Sequence, residues 1–140
     1  MKKVKYTDLK VGDKASLAKT FSENNVLKFS LLSGDENPIH FDEDYAATTR
    51  FKKRIVQGPY VAALFGGILG SEVPGPGTIY INQNTNFLAP VYIGDTVTAN
   101  VEIIAIRDDK PIVKLRTWAT ANGELVMDGE ATILFLKNNK

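Results

Sequence analysis

The sequence predicts an α+β fold in which an antiparallel sheet wraps around one central apolar helix. Three observations carry this. The stretch Gly58 to Gly70 (GPYVAALFGGILG) is apolar on every side, which in a soluble chain means a helix covered by other structure. The chain after Gly77 breaks into segments with strand patterning, separated by turn residues. The length of 140 residues, with 44% hydrophobic and 24% charged content, is that of one ordinary globular domain with room for a core. One apolar helix and several long strands have few packing solutions, and the sheet must curl to bury the helix. A single domain over residues 1–140 is therefore expected.

In chain order, Leu9-Lys10-Val11-Gly12-Asp13 reads as a turn into a strand, because Ala15 and Leu17 fall on one side of a period-two pattern, with Phe21 following. Ser22 is an N-cap and Glu23 suits the positive end of the helix dipole. A helix then runs to Ser33, with Val26, Phe29 and Leu32 expected inward and Gly34 as its stop. Asp42 caps a short helix through Tyr45-Ala46-Ala47, and Arg50 to Arg54 form a basic loop carrying Phe51. The central helix opens with Pro59 in its first turn, and Val73-Pro74-Gly75-Pro76-Gly77 breaks it. Thr78 to Leu88 alternates, with Ile79 and Ile81 expected on one face and Asn82, Asn84 and Asn86 on the other. Further strands run from Ile93 to Ile106, from Ile112 to Ala121 and from Glu124 to Leu136. Asn122-Gly123 between the last two is a strong hairpin signal. The tail Lys137 to Lys140 is expected to fray.

The totals exclude several function classes. A net charge of +1 speaks against nucleic acid or a membrane surface as a partner. With no cysteine there is no disulfide, thiolate ligand or cysteine nucleophile. The basic N-terminus has no apolar stretch behind it, so no signal peptide is expected, and the longest apolar run is far too short to span a bilayer. The expected location is cytoplasmic. With one histidine and no carboxylate cluster at ligand spacing, neither a metal nor a cofactor is expected.

That one histidine, His40, follows Asp35 by five positions in Ser33-Gly34-Asp35-Glu36-Asn37-Pro38-Ile39-His40. Histidine is the side chain that ordinarily changes charge near neutral pH. Pro38 fixes its own φ and pushes Asn37 toward extended geometry. Asn37 can bond back to the backbone. A rigid loop therefore displays an acid–base pair. Gly58 opens the central helix, where backbone N–H groups face outward at the positive end of the dipole.

The pattern Asp35-x-Asn37-Pro38-x-His40, followed by Ala46-Ala47-Thr48, Ile55-Val56-Gln57-Gly58 and the Ala/Gly-rich helix, resembles the (R)-specific enoyl-CoA hydratases of the MaoC-like, hot-dog-fold family. Pro76-Gly77-Thr78-Ile79-Tyr80 and Phe87-x-x-Pro90-Val91-x-x-Gly94-Asp95 also look like that family, and the likeness covers roughly residues 8–136. The resemblance implies a homodimer with an acyl-CoA or acyl-carrier thioester near its interface. It implies reversible syn hydration of a trans-2-enoyl thioester to an (R)-3-hydroxyacyl thioester. Asp35 and His40 are then the acid–base pair and the Gly58 N–H an oxyanion donor, with Asn37, Gln57 and Ala63 at the substrate. Two positions depart from the pattern: Gln57 where the family usually has His, and Ala63 where Ser is frequent.

Three other readings share these residues. A 3-hydroxyacyl dehydratase acting on carrier-protein thioesters would use the same pair behind a broader basic patch. A non-catalytic acyl-thioester-binding protein of the same fold would be consistent with the changes at Gln57 and Ala63. A hot-dog thioesterase is disfavoured by the Asp-x-Asn-Pro-x-His loop. Lys52-Lys53-Arg54 could meet the phosphates of CoA, although such a run is more often a solvated face.

Overall fold

The computed structural model describes residues 4–136. The basic residues at the extreme N-terminus and the Lys137–Lys140 tail lie outside them. Five strands and three helices occur in the order β1 (Lys14–Thr20), α1 (Glu23–Ser33), α2 (Glu43–Thr48), α3 (Gly58–Ser71), β2 (Thr78–Phe87), β3 (Thr96–Ile106), β4 (Ile112–Ala121) and β5 (Glu124–Phe135).

All five strands join one antiparallel sheet in the order β1-β3-β4-β5-β2. The β4–β5 connection is the expected two-residue turn, with Asn122 at φ 53° and Gly123 at φ 74°. Positive φ at both positions matches the right-handed twist of the flanking strands. The sheet buries the inward residues of β3, β4 and β5, including Val101, Ile103, Leu115, Ala131 and Ile133, against Val61, Leu64, Phe65, Ile68 and Leu69 of α3. The helix is covered on one side only. Pro59, Ala63, Gly67 and Gly70 remain exposed, so the expectation of burial all round holds for the large residues and fails for the small ones.

Two other local expectations change. Val26 is buried and Phe29 stacks on Tyr60 at 4.8 Å, but Leu32 is 87% exposed. At 3.6 residues per turn Leu32 lies about 120° round α1 from Val26, off the narrow stripe that faces the core. In β2 the register slips between Tyr80 and Asn82. The bulge at Ile81 changes parity, because an extra residue in one strand flips every later side chain. Tyr80 pairs with buried Ile133 and Gln83 with buried Ala131, so Ile79 and the asparagines share a face while Tyr80 and Gln83 turn toward α3.

Candidate active site

The Asp35–His40 loop is held by its own polar groups. Ser22 caps α1 by accepting from the Asn25 N–H, and Gly34 ends the helix at φ 79°. The Asp35 N–H donates to Ser33 Oγ at 3.2 Å, and Asp35 Oδ1 accepts from the Asn37 N–H at 3.1 Å. Asn37 Oδ1 then accepts from the Ile39 N–H, capping a 3-10 turn over Pro38–His40. Ser30, buried in α1, donates its hydroxyl to the Asp35 carbonyl. These ties make the six-residue Asp35–His40 loop rigid.

His40 is 7% exposed and its Nδ1 lies 2.7 Å from the Ile55 carbonyl. A carbonyl only accepts, so Nδ1 carries the proton and a neutral ring presents Nε2 as a bare acceptor. Nε2 is 3.5 Å from Asp35 Oδ2, whose side chain is one-third exposed. That separation is long for a direct hydrogen bond. It suits one small molecule shared between two acceptors.

Gly58 is the first residue of α3. Pro59 has no N–H, and the N–H groups of Tyr60 and Val61 both donate to the Gln57 carbonyl, at 3.1 and 3.2 Å. Among the described residues, Gly58 therefore offers the free backbone donor of this first turn. It opens on a cavity of about 310 Å³ lined also by Ile55, Val61, Phe87, Pro90 and Met127. The Phe87 ring lies directly over Gly58, close enough that a Cβ there would come within 2.8 Å of it. Asp35 and His40 are not among the lining residues. They adjoin the cavity through Ile55, which is one of its lining residues and holds His40 with its carbonyl.

The remaining expected site residues are placed differently. Gln57 is wholly buried and donates Nε2–H to the Val26 carbonyl of α1 at 3.0 Å, so it faces a neighbouring helix and lines neither cavity nor groove. The position just before Gly58 pointed to the pocket, but the helix start turns this side chain the other way. Asn37 is exposed, and its side-chain oxygen is engaged by the backbone of its own loop. Ala63 is exposed in an open groove of about 470 Å³ between α3 and β2, shared with Tyr80, Ile81, Gln83 and Phe87. There the Tyr80 hydroxyl donates to Gln83 Oε1, and burial holds the phenol above its ordinary pKa.

The basic loop divides. Arg54 bridges Glu23 at 2.8 Å and Glu43 at 2.7 Å, which ties the starts of α1 and α2 together; these partners, Glu23 first, raise its pKa further. Arg54 is thereby removed from the phosphate-binding candidates. Lys53 lies over the Tyr92 ring at 4.6 Å, and Arg50 over Phe51 at the cavity rim. Sequence reasoning missed Ser30, and it quoted Ile55 and Phe87 in the family pattern without giving either a role. Ile55 acts through a backbone carbonyl, which no side-chain pattern reports.

The MaoC-like domain profile matches residues 7–123. The chain belongs to the MaoC-like domain family. This MaoC-like protein is 49% identical over 129 residues to an (R)-specific enoyl-CoA hydratase of Rhodospirillum rubrum, covering 92% of this chain and 90% of the relative. A solved (R)-hydratase from Aeromonas caviae superposes with a TM-score of 0.88 at 47% identity, over 91% of this chain and 97% of that one. A solved R-hydratase from Pseudomonas aeruginosa gives 0.89 at 38% identity, over 96% and 87%. The wrapped sheet of this MaoC-like protein is accordingly the hot-dog fold, as its sequence implied. No helix among its described residues is long and apolar enough to cross a membrane.

Proposed function

We propose that this chain catalyses the reversible hydration of trans-2-enoyl-CoA to (R)-3-hydroxyacyl-CoA, with Asp35 and His40 acting on one water. The observation that carries the reading is the 3.5 Å approach of Asp35 Oδ2 to His40 Nε2 while the Nδ1 proton is committed to Ile55. Two acceptors so spaced can each accept a hydrogen bond from a single water. The water oxygen then keeps a lone pair free to attack C3 of the enoyl thioester. As the C3–O bond forms, the pair takes one proton and charge collects on the thioester oxygen. The pair returns one proton to C2 from the same side, so addition is syn and one water is consumed. Donors fixed in place for the developing oxyanion lower the barrier, by about 3–4 kcal/mol for one good donor. The free Gly58 N–H, backed by the dipole of α3, supports that role. The high identity to named hydratases supports the substrate class.

We assign the working form as a homodimer in the cytoplasm. β2 is a sheet edge and leaves Ile79, Ile81, Phe87 and the following Leu88 each about half exposed. A long apolar edge of this kind invites a second copy. Its partner would cover the groove at Ala63 and wall in the dyad. The deciding experiment is hydration of crotonyl-CoA, followed by loss of enoyl absorbance. Turnover by the purified protein supports the reading. Turnover confined to a carrier-protein thioester would move the activity to the carrier-linked dehydratase, and none on either would leave a binding protein.

A further inference from the structure

We infer that Gln57 and Ser30 are positioning residues that together hold Asp35 in register with His40 and Gly58; this rests on the hydratase reading above. Asp35 and His40 share one loop, whose start is anchored on α1 and whose end is anchored on the segment that carries Gly58. His40 is anchored by the Ile55 carbonyl, and Gly58 lies three residues further along the same segment. Asp35 follows α1, and its carbonyl is anchored by the Ser30 hydroxyl. α1 meets the chain around that segment through the Phe29–Tyr60 stack, the Arg54–Glu23 ion pair and, next to Gly58, Gln57, whose Nε2–H donates to the Val26 carbonyl at 3.0 Å. Val26 and Ser30 are one turn apart on α1, so rigid helix connects the two bonds. The path runs from Gly58 through the Gln57 side chain to α1, and from Ser30 to Asp35.

Stability alone does not account for Gln57. Its side chain is completely buried, yet Oε1 has no hydrogen-bond partner among the described residues. A buried lone acceptor is destabilising, and an apolar residue of the same shape would avoid it. The amide is placed where only one of its two ends is satisfied, and that end is the tie between the helices. Loss of the tie would loosen α1 against the 55–58 segment and shift Asp35, at the α1 end of the loop, relative to His40 and Gly58. Displacements near 1 Å can cost about 100-fold in rate.

The test uses Gln57→Met, Ser30→Ala, their combination and Gln57→His, each assayed with crotonyl-CoA. Methionine keeps the length and removes both amide atoms. Histidine can place Nε2–H close to where the glutamine amide sits. Gln57→Met and Ser30→Ala should each lower kcat by roughly 10- to 100-fold at nearly constant KM. The double variant should be little worse than the more damaging single, because the bonds act in series. Gln57→His should recover most of the loss. His40 is the only histidine, so its imidazole 15N resonances report the site without turnover, and they should move in both single variants. A purely structural role would lower the melting temperature while leaving kcat and these resonances alone, which overturns the inference. Losses that multiply in the double variant also overturn it. If Gln57→Met fails to fold, Ser30→Ala carries the comparison. A wild type inert toward crotonyl-CoA sinks the hydratase reading instead, and the imidazole resonances still decide the positioning.

Discussion

Replacing Gly58 by alanine and by proline separates the backbone donor from the space around it. Both substitutions add a Cβ, and that atom would sit 2.8 Å from Phe87 Cε1 and 3.0 Å from Cδ1. Ordinary contact requires the ring to retreat by about 0.6 Å. Phe87 is 56% exposed, whereas the start of α3 is pinned by buried Gln57 and Val61, so the ring gives way. An off-rotamer displacement of this kind costs about 1 kcal/mol, which lowers the melting temperature by roughly 3–4 °C in a domain of this size. Alanine keeps the N–H and should leave kcat within a few-fold of wild type. Proline removes the N–H but fits the backbone, since it is tolerated at a first helical position and Gln57 already has φ −58° and ψ 125°. Loss of an oxyanion donor costs about 100- to 1,000-fold in kcat. The contrast should appear in kcat more than KM, because the bond strengthens in the transition state. The assay is crotonyl-CoA hydration at saturating substrate, with melts run in parallel. Equal kcat values for folded Gly58→Ala and Gly58→Pro would refute the oxyanion role.

Asp35→Asn and His40→Gln should each abolish most turnover with the fold intact, and the double variant should lose little more, because the pair acts on one water as a unit; near-wild-type rates in either single variant would dismiss the mechanism. Light scattering at micromolar concentration should report a dimer, and a stable monomer would remove β2 as the contact edge. Gly129→Ala should destabilise strongly, by at least about 3 kcal/mol. A Cβ there would meet the Asn84 carbonyl oxygen at 1.8 Å, and the strand backbone cannot swing aside as a side chain can. A melting temperature within a few degrees of wild type would contradict that.

Much of this protein was legible in its residues because the signals are local. Ser22 and Gly34 bound α1, Asp42 caps α2, and Asn122-Gly123 turns β4 into β5 through short-range hydrogen bonds and φ preferences written in single residues. The Asp35–His40 loop is of the same kind: Asn37 and Pro38 set a spacing that places the two side chains 3.5 Å apart. Tertiary structure decided what depends on partners distant in sequence. The strand order, with β2 crossing over to pair with β5, has no local cause. The bulge at Ile81 reverses a face that strict alternation assigned. Leu32 carries the same apolar signal as Val26 but lies on the outer side of α1. Gln57 sits beside Gly58 in the chain yet turns away to Val26, 31 residues earlier. The His40 tautomer is set by the carbonyl of Ile55, a backbone group that every residue type carries. Turns and caps are encoded by residue type, whereas the direction of a side chain is settled by packing.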